Sequence, residues 1–147
     1  MIESVSFTVA GVPIPQGSSR AFVVGGRAVV TSSNKNLAQW RQRIATEAQK
    51  VAVESGFYSL DKRAYDVHAT FYFPRTKSLK KNQTEHIVRP DLDKLIRAIN
   101  DGITNILIPD DSMINAINVR KLYLAHDSVY GPRVEVQVIK KTIGVNL

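Results

Sequence analysis

A mixed α/β fold, one compact domain with a mixed β-sheet and two main helices, is what this sequence predicts. Three observations carry that expectation. Residues 3–10 and 65–73 alternate apolar and polar side chains, the period of strands with one buried face. Two other stretches repeat their apolar residues at three- and four-residue steps, the spacing of helices that lay one stripe on a core. The chain has 147 residues, about one domain's worth and enough to bury a core, so residues 1–147 are read as a single unit.

In order along the chain, Val5, Phe7 and Val9 alternate with Ser4, Ser6 and Thr8 to make the first strand. Residues 12–20 carry Pro and Gly too densely for a regular element and form an ordered loop. A hairpin follows, with strands at 21–24 and 27–31 around Gly25-Gly26, since two glycines accept the positive φ angles of a two-residue turn. Arg20 and Arg27 bracket this finger. Ser33 or Asn34 is placed to cap a helix with apolar positions Leu37, Trp40, Ile44, Ala48 and Val51, ending near Gly56. Residues 65–73 are the clearest strand, ended by Pro74. From there to Pro90 the chain is basic and aperiodic, with Arg75, Lys77, Lys80, Lys81 and Arg89 against the single acid Glu85, and reads as a mobile loop. A second helix spans about 93–104, and two strands at about 114–124 and 132–140 close the domain. There is no internal repeat.

Composition narrows the chemistry. The absence of cysteine excludes disulfides, Cys-ligated zinc and thiol nucleophiles, so any metal must sit on oxygen or imidazole. No apolar run approaches the roughly 20 residues of a membrane span, and no signal segment is visible at the N-terminus. A soluble, cytoplasmic protein is expected. Lys and Arg number 20 against 13 Asp and Glu, a formal charge of +7, which favours a polyanionic partner such as nucleic acid over an indifferent basic surface.

Acidic residues then stand out against that background. Asp91 and Asp93 flank Leu92 where extended chain passes into the second helix, and in extended geometry both carboxylates project to one side. For either residue alone, capping of the helix is the commoner explanation. Asp110-Asp111 adds a second acidic pair between helix and strand, and a turn needs one Asp rather than two. Arg97 and Asp101 follow Asp93 at four-residue steps on one helix face. Acids clustered beside a basic loop would repel nucleic acid unless a divalent cation neutralised them, and oxygen ligands suit Mg²⁺ or Mn²⁺. The pattern points to metal-assisted phosphodiester cleavage.

The run from Arg89 to Gly102, Arg-Pro-Asp-Leu-Asp-Lys-Leu-Ile-Arg-Ala-Ile-Asn-Asp-Gly, followed by Ile108-Pro109-Asp110-Asp111-Ser112, resembles the RusA family of Holliday-junction resolvases. The loop from Gly11 to Arg20 and the strand residues Val119-Arg120-Lys121 resemble the same family, so the likeness covers most of the chain. It implies a RusA-like fold and a homodimeric, Mg²⁺-dependent endonuclease acting on branched DNA, often of phage or prophage origin, and so in a bacterial or phage-infected cell. By position it makes Asp91, Asp93 and Asp111 the metal-binding catalytic acids, with Asp110 in a lesser role. The family's essential Lys falls at Arg97, a planar fork that holds its proton where Lys is a compact charge. Arg97 then serves a phosphate, with Lys94 beside it. Arg20, Arg27, Arg75, Lys77, Lys80, Lys81 and Arg89 complete the DNA-binding set.

Other readings stay open. A DNA-binding protein without catalysis would share the basic loop but take up no metal through carboxylates. An RNA-binding module needs aromatic platforms on a sheet face, and alternation leaves only Tyr72 outside the core. His68, His86 and His126 are too scattered to form ligand pairs.

Overall fold

A computed structural model describes residues 3–17, 20–31, 36–59 and 61–142, with the finger strands described by their backbone. The elements run β1 (Glu3–Ala10), β2 (Arg20–Val24), β3 (Arg27–Thr31), α1 (Leu37–Ser55), β4 (Tyr65–Phe73), α2 (Leu92–Ile103), a 3₁₀ turn (Asp111–Met113), β5 (Ile114–Tyr123) and β6 (Arg133–Lys140). Four strands form one sheet in the order β1-β6-β4-β5, and β2-β3 stand apart as the finger. β6 is antiparallel to both β1 and β4, whereas β4 and β5 are parallel, so the sheet is mixed. A parallel pair needs a crossover connection. Residues 74–90 and α2 provide it.

Alternation decides what the sheet buries. Val5, Phe7 and Val9 on β1, Tyr65 to Phe73 at every second residue on β4, and Val134, Val136 and Val138 on β6 all point into one core. Helices α1 and α2 cover that face with Leu37, Trp40, Ile44, Ala48 and Ala52, and with Leu95, Ile96, Ile99 and Ile103. The two helices approach closely at Gly102, where an added Cβ would stand 2.6 Å from Ile44 Cγ2. A side chain there would push them apart. On the other face of the sheet Ser6, Thr8, His68, Thr70, Asn118 and Arg120 line a polar groove of about 550 Å³.

Some boundaries differ from expectation for local reasons. Ser33 and Asn34, expected to cap α1, lie outside the described residues, and the N-cap position is held by Asn36, whose carbonyl accepts the Trp40 N–H at 3.0 Å. Ala52 rather than Val51 completes the buried stripe of α1, with Val51 only partly covered. Gly56 ends that helix at φ +72°, its N–H donating to the Ala52 carbonyl at 2.9 Å, the left-handed cap at which glycine carries no Cβ penalty. Gly25 and Gly26 both take positive φ, as the finger's tight turn requires.

The segment 74–90, expected to be a mobile loop, is tied down by hydrogen bonds. Arg75 donates from Nη1 to the Gln83 and Leu124 carbonyls at 2.8 and 3.0 Å, and from Nη2 to the Lys80 carbonyl. The Tyr123 N–H donates to the Thr84 carbonyl at 2.7 Å, and Glu85 bridges to Leu122. His86 is only 7% exposed, its ring 4.3 Å from Phe73 and 4.7 Å from Tyr123. The loop therefore lies along the C-terminal half of β5, covering an edge that would otherwise be open.

Burial pushes the His86 imidazole below its ordinary pKa of 6.5, and the Lys121 charge adds to that. The fold thus prefers neutral His86, so this stabilisation is present above about pH 6.5 and declines as pH falls through the lower folded value. Unfolding by urea on either side of that pH is expected to show the decline in the parent chain and to show less of it in His86→Phe, which keeps the ring stack. Equal pH dependence in the two proteins would contradict this account.

Candidate active site

The acids singled out by type and spacing occupy the two ends of α2. Asp91 is the N-cap residue, in extended conformation at φ −69° and ψ 141°. Capping is not what its side chain does, since the carboxylate makes no cap hydrogen bond and instead stands 3.3 Å from Lys94 Nζ. Asp93 lies in the first turn, exposed, with no hydrogen-bonded or ion-paired partner for its side chain among the described residues. The α2 N-terminus therefore presents two exposed carboxylates, neither hydrogen-bonded as a cap, of which Asp91 is paired with Lys94.

The second acidic pair divides its labour. Asp110 Oδ2 accepts the Ser112 N–H at 3.0 Å and the Ser112 hydroxyl, capping the 3₁₀ turn. Those bonds hold the Asp110 carboxyl below its usual range. Asp111 beside it is exposed, and its side chain has no such partner among the described residues. So Asp110 has the structural task, and the Asp111 carboxylate has none among the described residues.

The two pairs do not meet within one chain. Among the described residues, no group of three or more His, Cys, Asp or Glu side chains stands close enough to hold a metal ion. The reason is the length of the element between them. α2 has 12 residues, about 18 Å at 1.5 Å per residue. The Thr104–Ile108 turn is folded onto its C-terminal end, with the Leu107 N–H donating to the Ile103 carbonyl at 2.9 Å. β5 then returns so that Lys121 near its end donates to the Pro90 carbonyl at 2.9 Å, beside Asp91. Asp110 and Asp111 lie at the start of that strand, away from Asp91 and Asp93.

The basic residues sort in the same way. Arg97 is exposed one turn beyond Asp93 and makes no ion pair among the described residues. Asp101, expected on the same face, instead stands 3.9 Å from Arg41 of α1. Lys77, Lys80, Lys81, Arg89 and Arg27 are exposed, whereas Arg75 has its guanidinium turned onto two carbonyls of its own loop and that of Leu124 just beyond β5. Arg20 has no described side chain. The opening loop reaches this end of α2 too, since the Gln16 N–H donates to the Lys94 carbonyl at 2.9 Å. Lys121 had no assigned role in the sequence, although alternation puts it on the core face of β5 between Val119 and Tyr123, where a lysine is out of place.

With that arrangement in view, the family model described as endodeoxyribonuclease RusA matches residues 10–139. The chain belongs to the RusA endodeoxyribonuclease family. The match takes in both acidic pairs, Arg97 and the strand residues through Lys121. A Bacillus subtilis (strain 168) relative named "Uncharacterized protein YqaN" is 24% identical over 147 residues, covering 93% of this chain and 96% of its own. No helix among the described residues is long and apolar enough to cross a membrane.

Proposed function

We propose that this RusA-family chain is a crossover junction endodeoxyribonuclease: a Mg²⁺-dependent homodimer, with Mn²⁺ able to substitute, that resolves four-way DNA junctions by symmetric phosphodiester hydrolysis in recombination and repair. The observation that carries this reading is the condition of the acids. Asp91 holds a capping position without capping, and Asp93 and Asp111 are exposed and unpaired among the described residues. Asp91 has only the exposed Lys94 as partner, and no contact among the described residues accounts for Asp93 and Asp111 in a chain of net charge +7. Metal binding beside a phosphate does.

The separation of the two acidic pairs supports a dimer. A two-fold axis setting α2 antiparallel to its copy would bring the acids at the start of α2 in one protomer toward those beyond its end in the other, and a closed pair of subunits would then carry two equivalent sites. A junction has two strands to cut, which matches that symmetry. Mg²⁺ bound there would polarise the scissile phosphate and lower the pKa of a bound water.

The chain's own residues do the rest. Arg97 presents a permanently charged fork to the phosphate and so acts by charge stabilisation, since it does not exchange its proton. The exposed Arg27, Lys77, Lys80, Lys81 and Arg89, with Lys94 at the helix start, track the DNA backbone, a contribution that carries no sequence information and weakens with salt.

The test compares a synthetic four-way junction with a linear duplex of the same sequence, each with Mg²⁺. Paired cuts at symmetric positions in the junction, with the linear duplex cut far more slowly, are expected. Equal rates on the two substrates would reject junction selectivity.

A further inference from the structure

The approach to Asp91 is fastened by one side chain. We infer that Lys121 is a positioning residue for the reaction, holding the backbone of residues 88–90 and through it setting where the Asp91 carboxylate stands. Its Nζ donates to the Val88 carbonyl and, at 2.9 Å, to the Pro90 carbonyl, which belongs to the peptide bond leading into Asp91. Two of the three ammonium donors are thereby committed to one short stretch of chain. Hydrogen bonds from a charged donor are the stronger kind, and these two converge on carbonyls that no other described residue bonds.

The surroundings make this clamp the last of a series. Tyr123 holds Thr84, Leu122 bridges to Glu85, and Lys121 then reaches Val88 and Pro90. Beyond His86, whose ring packs between Phe73 and Tyr123, the side chains of Ile87, Val88 and Arg89 are exposed, so side-chain packing does not fix residues 87–89. Lys121 is therefore what carries the order of the loop across to the N-terminus of α2. The residue acts through the backbone and not on substrate. A carboxylate displaced by about 1 Å is a recognised way to lose rate without losing fold.

The inference rests on the reading of Asp91 as part of the reacting site, and its test separates the two. Lys121→Met keeps the stem and removes the donors, and Arg120→Met removes a neighbouring charge that faces the other side of the sheet and donates to Thr70 Oγ1 at 3.3 Å. Amide hydrogen exchange is read over residues 86–95 in the free protein, with the thermal midpoint, and junction cleavage is split into kcat and KM. Lys121→Met is expected to speed exchange in that segment by about tenfold or more, as loss of a local anchor does, with the midpoint nearly unchanged. It is also expected to lower kcat by a similar factor while KM moves little, and Arg120→Met should leave exchange in the segment as it was. Unchanged exchange in Lys121→Met overturns the clamp. Faster exchange with an unaltered kcat overturns its role in the reaction. If the parent chain cuts no junction, the functional reading fails, and exchange alone still decides the clamp.

Discussion

Asp91→Asn is expected to lower kcat for junction cleavage by more than about a hundredfold, and Asp111→Asn to do the same. Removing even an outer partner of a metal ligand commonly costs 10- to 100-fold, about the least to expect for a ligand itself. The choice of Asn isolates the charge. Asn caps a helix about as well as Asp, so a purely structural Asp91 would tolerate the change. Both residues are exposed, and the thermal midpoint of each variant should match the parent. Asp110→Asn should cost less, because its carboxylate is engaged with Ser112. Full activity in Asp91→Asn or Asp111→Asn would remove that residue from the site.

The second large effect concerns stability. Lys140 is 3% exposed and sits where the β6 alternation of Val134, Val136 and Val138 calls for a fourth apolar residue. Its ammonium lies 3.0 Å from Asp61, 3.3 Å from Glu3 and 4.8 Å from the Phe57 ring. Burial lowers its pKa, but the bonds to Asp61 and Glu3 outweigh that and the net shift is upward. Removing both acids, Glu3→Gln with Asp61→Asn, strands a charge inside the fold and is expected to cost about 3–5 kcal/mol. Lys140→Met should cost much less, within about 1 kcal/mol, because the two acids are about half exposed and return to water while the Met stem packs on Phe57. Urea midpoints give the order directly, and a Lys140→Met chain less stable than the double acid variant would contradict it. The raised pKa also fixes a pH window. This stabilisation holds below the unfolded value of 10.5 and is lost as pH rises through the higher folded one, a loss that Lys140→Met should lack.

What could be read from the sequence followed from side-chain pattern. β4 shows strict alternation over residues 65–73 and forms a strand over that same range, and α2 starts and ends within one residue of where its apolar stripe placed it. The acids were legible by type, because four carboxylates in two pairs are conspicuous in a basic chain. Their division of labour was not, since which Asp caps depends on where each carboxylate points. Asp110 caps and Asp91 does not.

The anchoring of the loop at 74–90 is not legible in its composition, for a physical reason. Its anchors are the backbone carbonyls of Lys80, Gln83, Val88 and Pro90, groups that every residue carries and no composition reveals. The side chains doing the anchoring did leave a trace. Lys121 and Lys140 are charged residues in apolar registers of β5 and β6, and each proves to hold a distant segment in place.

The claim that two copies of the chain share their acids to build each cutting site is tested most directly by mixing two inactive variants. When Asp91→Asn and Asp111→Asn proteins exchange subunits, each mixed dimer carries one site with both substitutions and one site with neither. The mixture is therefore expected to recover nicking of one strand per junction while paired cuts stay absent. A mixture as silent as its components, with subunit exchange verified, would show that each site is built within a single chain and would contradict the account.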